Sequence, residues 1–67
     1  MRMDYDMGVL LTDVKDKSVI TLDFGVSERG DPVYRISWYN GHRWGVTPRF
    51  ESFEQTYAIY KLLLRMI

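Results

Sequence analysis

The side chains of this chain that could do chemistry are few and scattered. His42 is the only histidine and there is no cysteine, so neither a histidine-rich nor a thiolate metal site can be assembled. No nucleophile–base pair is apparent around His42. It follows a turn signal beside Arg43, and a surface or stacking role outweighs general-base chemistry. Asp4 with Asp6, or Asp13 with Asp16, could meet a cation, but neither pair has the ligand count of a calcium loop. Solvated turn and strand carboxylates are the plainer reading. The stretch from Gly41 to Gly45 lacks the strand-to-helix glycine pattern and the Lys-Ser/Thr pair of a phosphate loop. Arg29-Gly30-Asp31 spells an adhesion tripeptide, but turn chemistry accounts for it. These readings leave no catalytic residue, no metal and no cofactor, and the expectation is a protein that is not an enzyme.

What remains is recognition chemistry. Ten of the 67 residues are aromatic, and several interleave with cations in the middle of the chain. Arg35, Tyr39, Arg43, Trp44 and Arg49 are of the types that concentrate at protein-binding hot spots, and His42 sits among them. The same set would suit stacking on unpaired bases. It would equally suit cross-strand aromatic and cation–π pairs that only stiffen a small sheet, each worth roughly 0.5–1.5 kcal/mol. Nine basic residues balance nine acidic ones. That neutrality weighs against binding driven mainly by phosphates, although the charge is unevenly spread. Asp4, Asp6, Asp13, Asp16 and Asp23 load the first third with acid, while Arg29, Arg35, Arg43 and Arg49 load the middle with base.

The elements that must position these side chains follow from periodicity. Met3, Tyr5, Met7, Val9 and Leu11 alternate as in a half-buried strand, which Leu10 interrupts and where Gly8 signals a bulge. Asp13 to Lys17 reads as a turn. Ile20, Leu22, Phe24 and Val26 alternate next, and Ser27 to Pro32 is turn chemistry throughout. Val33 to Tyr39 is rich in strand formers. Asn40-Gly41 is the strongest short-range hairpin signal, since a two-residue type I′ turn needs φ > 0 twice. A fourth strand runs to Thr47, and Pro48 ends it. The expected strands are thus about 5–12, 18–26, 33–39 and 42–47.

Beyond Pro48 the apolar period becomes three and four, through Phe53, Tyr57, Tyr60 and Leu64. This gives a helix over about 52–66, with Ser52 and Gln55 as a capping box. The fold class is α+β: one domain in which a four-stranded antiparallel β-meander carries a C-terminal α-helix packed on one face, ββββα.

A two-residue turn at Asn40-Gly41 pairs Tyr39 with His42, Ser37 with Trp44 and Arg35 with Val46. Alternation then puts Tyr34, Ile36 and Trp38 under the helix and Arg35, Tyr39, His42 and Trp44 on the outer face. The apolar arc of the helix exceeds the stripe of about 100° that one sheet needs. Tyr57, Tyr60, Leu62 and Met66 are therefore expected as core or as a surface for a homodimer or partner.

Two resemblances accompany this pattern. Over residues 9–64, four strands then a helix with Pro32, Tyr34, Ile36, Trp38, Gly45 and Phe53 resemble the single-stranded-DNA-binding fold of transcriptional positive cofactor four. Arg43-Trp44-Gly45 stands where that family carries Gly-Lys-Gly. The resemblance implies a helix-mediated dimer with nucleic acid on the sheet. Tyr34 to Leu63, with Phe50, Glu54 and Ala58, resembles the arm-binding domain of phage integrases.

No apolar run spans a membrane and the N-terminus has no signal h-region; with no disulfide, a cytoplasmic location is expected. The leading functional expectation is a non-enzymatic binding module that docks on another protein, similar in character to small inhibitors encoded by phages and mobile elements. The alternative is a single-stranded nucleic-acid-binding protein using the aromatic and arginine face.

Overall fold

A computed structural model of the chain describes residues 8–66, and these form four strands followed by one helix. β1 is Gly8–Lys15, β2 Ser18–Val26, β3 Pro32–Tyr39, β4 Trp44–Val46 and α1 Phe53–Met66. The strands pair antiparallel in sequence order, β1-β2-β3-β4. The helix lies across β2 and β3. This is the ββββα architecture that the alternation of apolar residues predicts.

Alternation decides the core. Ile20 and Leu22 of β2 and Ile36 of β3 are fully buried beneath α1, with Leu11, Tyr34 and Trp38 packed around them. The helix meets them with Tyr60, Ile59, Leu63 and Leu64. Ser52 caps it: its Oγ accepts the Gln55 N–H at 3.2 Å, and its carbonyl accepts the Thr56 N–H at 3.1 Å. Glu54 in the first turn and Arg65 in the last suit the helix dipole.

Three expectations are corrected. The first strand does not stop at Thr12; β1 continues to Lys15, and the turn shrinks from Asp13–Lys17 to Asp16 and Lys17 alone. Asp16 takes φ 56°, the left-handed region that aspartate tolerates, so the tight two-residue hairpin lies here. Tyr5 to Met7, the expected start of this strand, lie outside the described residues. A bulge falls between Val9 and Leu11, where Leu10 breaks the alternation.

The Asn40-Gly41 hairpin is the second correction. Tyr39 pairs with Trp44, Trp38 with Gly45 and Ser37 with Val46, so Asn40 to Arg43 form a four-residue loop and β4 starts at Trp44, not at His42. Gly41 has φ 97°, but Asn40 does not enter the positive region that a type I′ turn requires. Its Oδ1 instead accepts the N–H groups of His42 and Arg43, at 2.9 and 2.8 Å. This side-chain-capped turn competes with the two-residue hairpin. The register moves by two residues. A shift of one would have inverted every side chain of β4, whereas a shift of two keeps each on its face.

The helix supplies the third correction. Tyr57 does not point into the core; it is exposed, and Thr56 is the fully buried residue beside Tyr60. Thr56 enters because its hydroxyl donates to the Ser52 carbonyl at 2.7 Å, leaving no unmet donor. Phe53 and Tyr57 stack on the flank of the core, in a run of rings Phe24–Tyr34–Phe53–Tyr57–Tyr60 with centroids 5.6–6.4 Å apart. Tyr60, expected as core or as surface, is core: it is only 2% exposed.

The Tyr60 hydroxyl donates to Asp13 Oδ2 at 2.5 Å, tying the helix to β1. Burial, reinforced by the hydrogen bond to Asp13 and that carboxylate's charge, raises the Tyr60 pKa well above its ordinary value of 10.0. A raised folded-state pKa means stabilisation that is complete below about pH 10 and lost as pH rises toward the folded value. Stability should therefore fall above about pH 10, at up to about 1.4 kcal/mol per pH unit from this group. Tyr60→Phe should cost about 1 kcal/mol at neutral pH and flatten that alkaline decline. Urea midpoints measured across the alkaline range check both effects, and an unchanged slope in the variant would refute the assignment to Tyr60.

Candidate functional site on the outer sheet face

The sheet face away from α1 carries Val9, Thr12 and Val14 of β1, Val19, Thr21 and Asp23 of β2, Val33, Arg35, Ser37 and Tyr39 of β3, and Trp44 and Val46 of β4. It divides into two halves. Toward the β2–β3 loop, Asp23, Gly25 and Val33 are buried. Toward the two hairpin turns, Val14, Tyr39, Trp44 and Val46 are all exposed, Trp44 by 74%. Among the described residues, no helix or strand covers this second half.

The centre of the face is polar and closed on itself. Asp23 is 5% exposed. Its Oδ1 accepts the Thr21 hydroxyl at 3.0 Å, and its Oδ2 accepts the Ser37 hydroxyl at 2.8 Å and an Arg35 terminal N–H at 3.5 Å. Arg35 Nε also lies 3.5 Å from Oδ2, an ion-pair contact without hydrogen-bond geometry. Arg35 is thus not a free cation for a partner; its charge is met within the sheet. A carboxylate this buried is tolerated because three donors bond to it and the guanidinium charge stands beside it.

Beside this network Val19, Thr21, Ser37, Tyr39 and Trp44, with Trp38 beneath, line a shallow hollow of about 200 Å³. Tyr39 is held by its hydroxyl, which donates to the Gly41 carbonyl at 3.1 Å. Basic residues lie on the turns at its rim and not in its lining. Lys17 Cβ lies 3.5 Å from where a side chain on Gly41 would begin, so the Asp16-Lys17 turn packs against the Asn40–Arg43 loop. Lys17, His42 and Arg43 therefore lie on two packed turns at the end of the sheet where Trp44 begins β4, with Asp16 the one carboxylate of these turns.

The register puts Tyr39 and Trp44 side by side on the outer face, as the alternation implies, and leaves His42 and Arg43 in the loop next to them, off the strand ladder. It places Arg35 in the neutralised centre. Arg49 falls along the segment from β4 to Phe50, which bridges back to Tyr34, away from the hollow. Lys17, Val14 and Val19 join the site, and periodicity alone does not find them. Their strands reach Trp44 only through the cross-strand register. On the helix, Leu62 and Met66 are exposed on one flank and Tyr57, under Lys61 Nζ at 5.0 Å, on the other. These residues do not form one continuous patch.

Among the described residues no group of three or more His, Cys, Asp or Glu side chains could hold a metal ion, and no helix is long and apolar enough to cross a membrane. No protein-family model, curated protein or solved structure matches the chain.

Proposed function

We propose that this chain is a non-enzymatic binding module that docks on another protein through the turn-end half of its outer sheet face. The observation that carries the reading is Trp44: a tryptophan 74% exposed, beside Tyr39, over a hollow with apolar walls. An exposed aromatic pair on a rigid sheet is a preorganised anchor, and such anchors dominate interface energetics. The rim selects the partner. Lys17, His42 and Arg43 favour a protein surface that offers an apolar knob for the hollow, flanked by carboxylates. Small inhibitors that blunt a larger host protein have this economy, and the reading extends to that role by analogy alone.

A second reading rests on the same cations. Tyr39 and Trp44 beside Lys17 and Arg43 also suit stacking on unpaired bases with phosphates along the rim. The neutralised Arg35 at the centre and the balanced overall charge make this the weaker of the two.

The two readings separate by experiment. Immobilised wild-type protein should retain, from an extract of its source cell, an acidic protein that Trp44→Ala and Arg43→Glu each fail to retain. With that partner purified, Trp44→Ala should weaken binding about 30-fold, the size of a hot-spot loss of about 2 kcal/mol. Equal retention by wild type and Trp44→Ala would overturn the docking reading. Binding of an oligothymidylate at low salt that weakens steeply as salt rises would favour nucleic acid instead.

A further inference from the structure

A second concavity lies on the opposite side of the sheet, between the C-terminal half of α1 and the end of β3. Ile20, Trp38, Asn40, Leu63 and Met66 line it, around a volume of about 280 Å³. Its origin is in the packing. The helix lies over β2 and β3, β4 is only three residues long, and its middle residue is Gly45. The Trp38 indole leans over Gly45, within 3 Å of where a side chain would start, and nothing of β4 fills the space beside Leu63 and Met66.

The polar groups of this groove are one-sided. Asn40 Oδ1 is already occupied by the N–H groups of His42 and Arg43. The Asn40 side-chain amide and the Trp38 indole N–H donate to no protein acceptor among the described residues. Ile20, Leu63 and Met66 contribute only apolar surface. Two residues lining the groove, Trp38 and Asn40, thus carry N–H groups with no protein acceptor and the lining holds no free side-chain oxygen, while its mouth adjoins the turns that carry Lys17 and Arg43. The complement is a group that only accepts, attached to an apolar body.

We propose that this groove binds a small carboxylic acid with an apolar chain or ring. The carboxylate accepts from Trp38 Nε1 and the Asn40 amide, and the apolar part lies between Leu63, Met66 and Ile20.

Asn40 and Trp44 make the test specific, because Asn40 lines only the groove and Trp44 only the outer hollow, whereas Trp38 borders both. Octanoate titrated into the ¹⁵N-labelled full chain should shift the Trp38 indole and Asn40 side-chain amide resonances and leave the Trp44 indole in place. Octylamine, with a matching tail and a donor head, should leave all three unmoved. Met66 is 79% exposed at the mouth, so replacing it should not disturb folding. Met66→Glu should weaken octanoate binding about five- to tenfold through like charge, and Met66→Lys should not weaken it. Equal binding of octylamine, shifts confined to Trp44, or no response to octanoate would each overturn the proposal. None of these outcomes bears on docking through Trp44, which the partner assay reads separately.

Discussion

Asp23→Ala should cost the folded state about 3 kcal/mol. Breaking a buried ion pair from one side costs about 3–5 kcal/mol, because the surviving charge is left without its partner. Arg35 keeps some solvent contact, with 30% of its side chain exposed, which pulls the figure toward the lower end. The substitution also strands the hydroxyls of Thr21 and Ser37, which both donate to this carboxylate. A domain of this length has only about 3–5 kcal/mol to lose, so the variant should be largely unfolded at room temperature. Urea denaturation followed by far-ultraviolet circular dichroism measures the loss. Asp23→Leu combined with Arg35→Leu should recover part of it, because removing both charges leaves neither uncompensated. A single variant as stable as wild type would show that the network only decorates the sheet.

Gly45→Val should cost about 2–3 kcal/mol, at the upper end of what overpacking a core does. A Cβ on Gly45 would stand 2.4 Å from Trp38 Cζ2, 2.6 Å from Cε2 and 2.9 Å from Nε1. The indole is a rigid plane, so it cannot bend a flexible tip aside; it must move as a whole. The space open to it is the groove beside Leu63 and Met66. The variant should therefore lose stability and close that groove together, and a changed Trp38 emission should accompany the lowered urea midpoint. Trp38→Leu in the same chain makes room for the valine. The double variant should be more stable than the sum of the two single losses implies, and strict additivity would show that residues 38 and 45 do not collide.

The layer arrangement was legible because it depends on local period. Ile20, Leu22 and Ile36 announce the buried face by alternation, and Ser52 with Gln55 announces the helix start by capping chemistry. What was not legible depended on competition between local options. Asn40-Gly41 satisfies a type I′ hairpin on paper, yet the Asn40 carboxamide gains two backbone hydrogen bonds by turning inward, and the loop lengthens. Asp16, with no glycine beside it, makes the tight turn instead. The site was half legible for the same reason. Tyr39 and Trp44 share a face under either register, since the two differ by an even number of residues. Lys17 and Val19 reach them only through pairing that spans β2 and β3, and Arg35 looks like a free cation until its register partner Asp23 is known. Thr56 escaped because a buried hydroxyl satisfied by its own helix leaves no trace in an apolar pattern.

The meander has a kinetic consequence. Each strand pairs only with its neighbours in sequence, through connections no longer than the Ser27–Asp31 loop, in which Ser27 Oγ accepts the Arg29 and Asp31 N–H groups. Short closures cost little chain entropy and proceed in microseconds. The helix is different: its bond from Tyr60 to Asp13 joins residues 47 apart. Hairpin zippering thus offers the inexpensive early steps, and seating the helix is the one long-range closure on which the speed of folding turns.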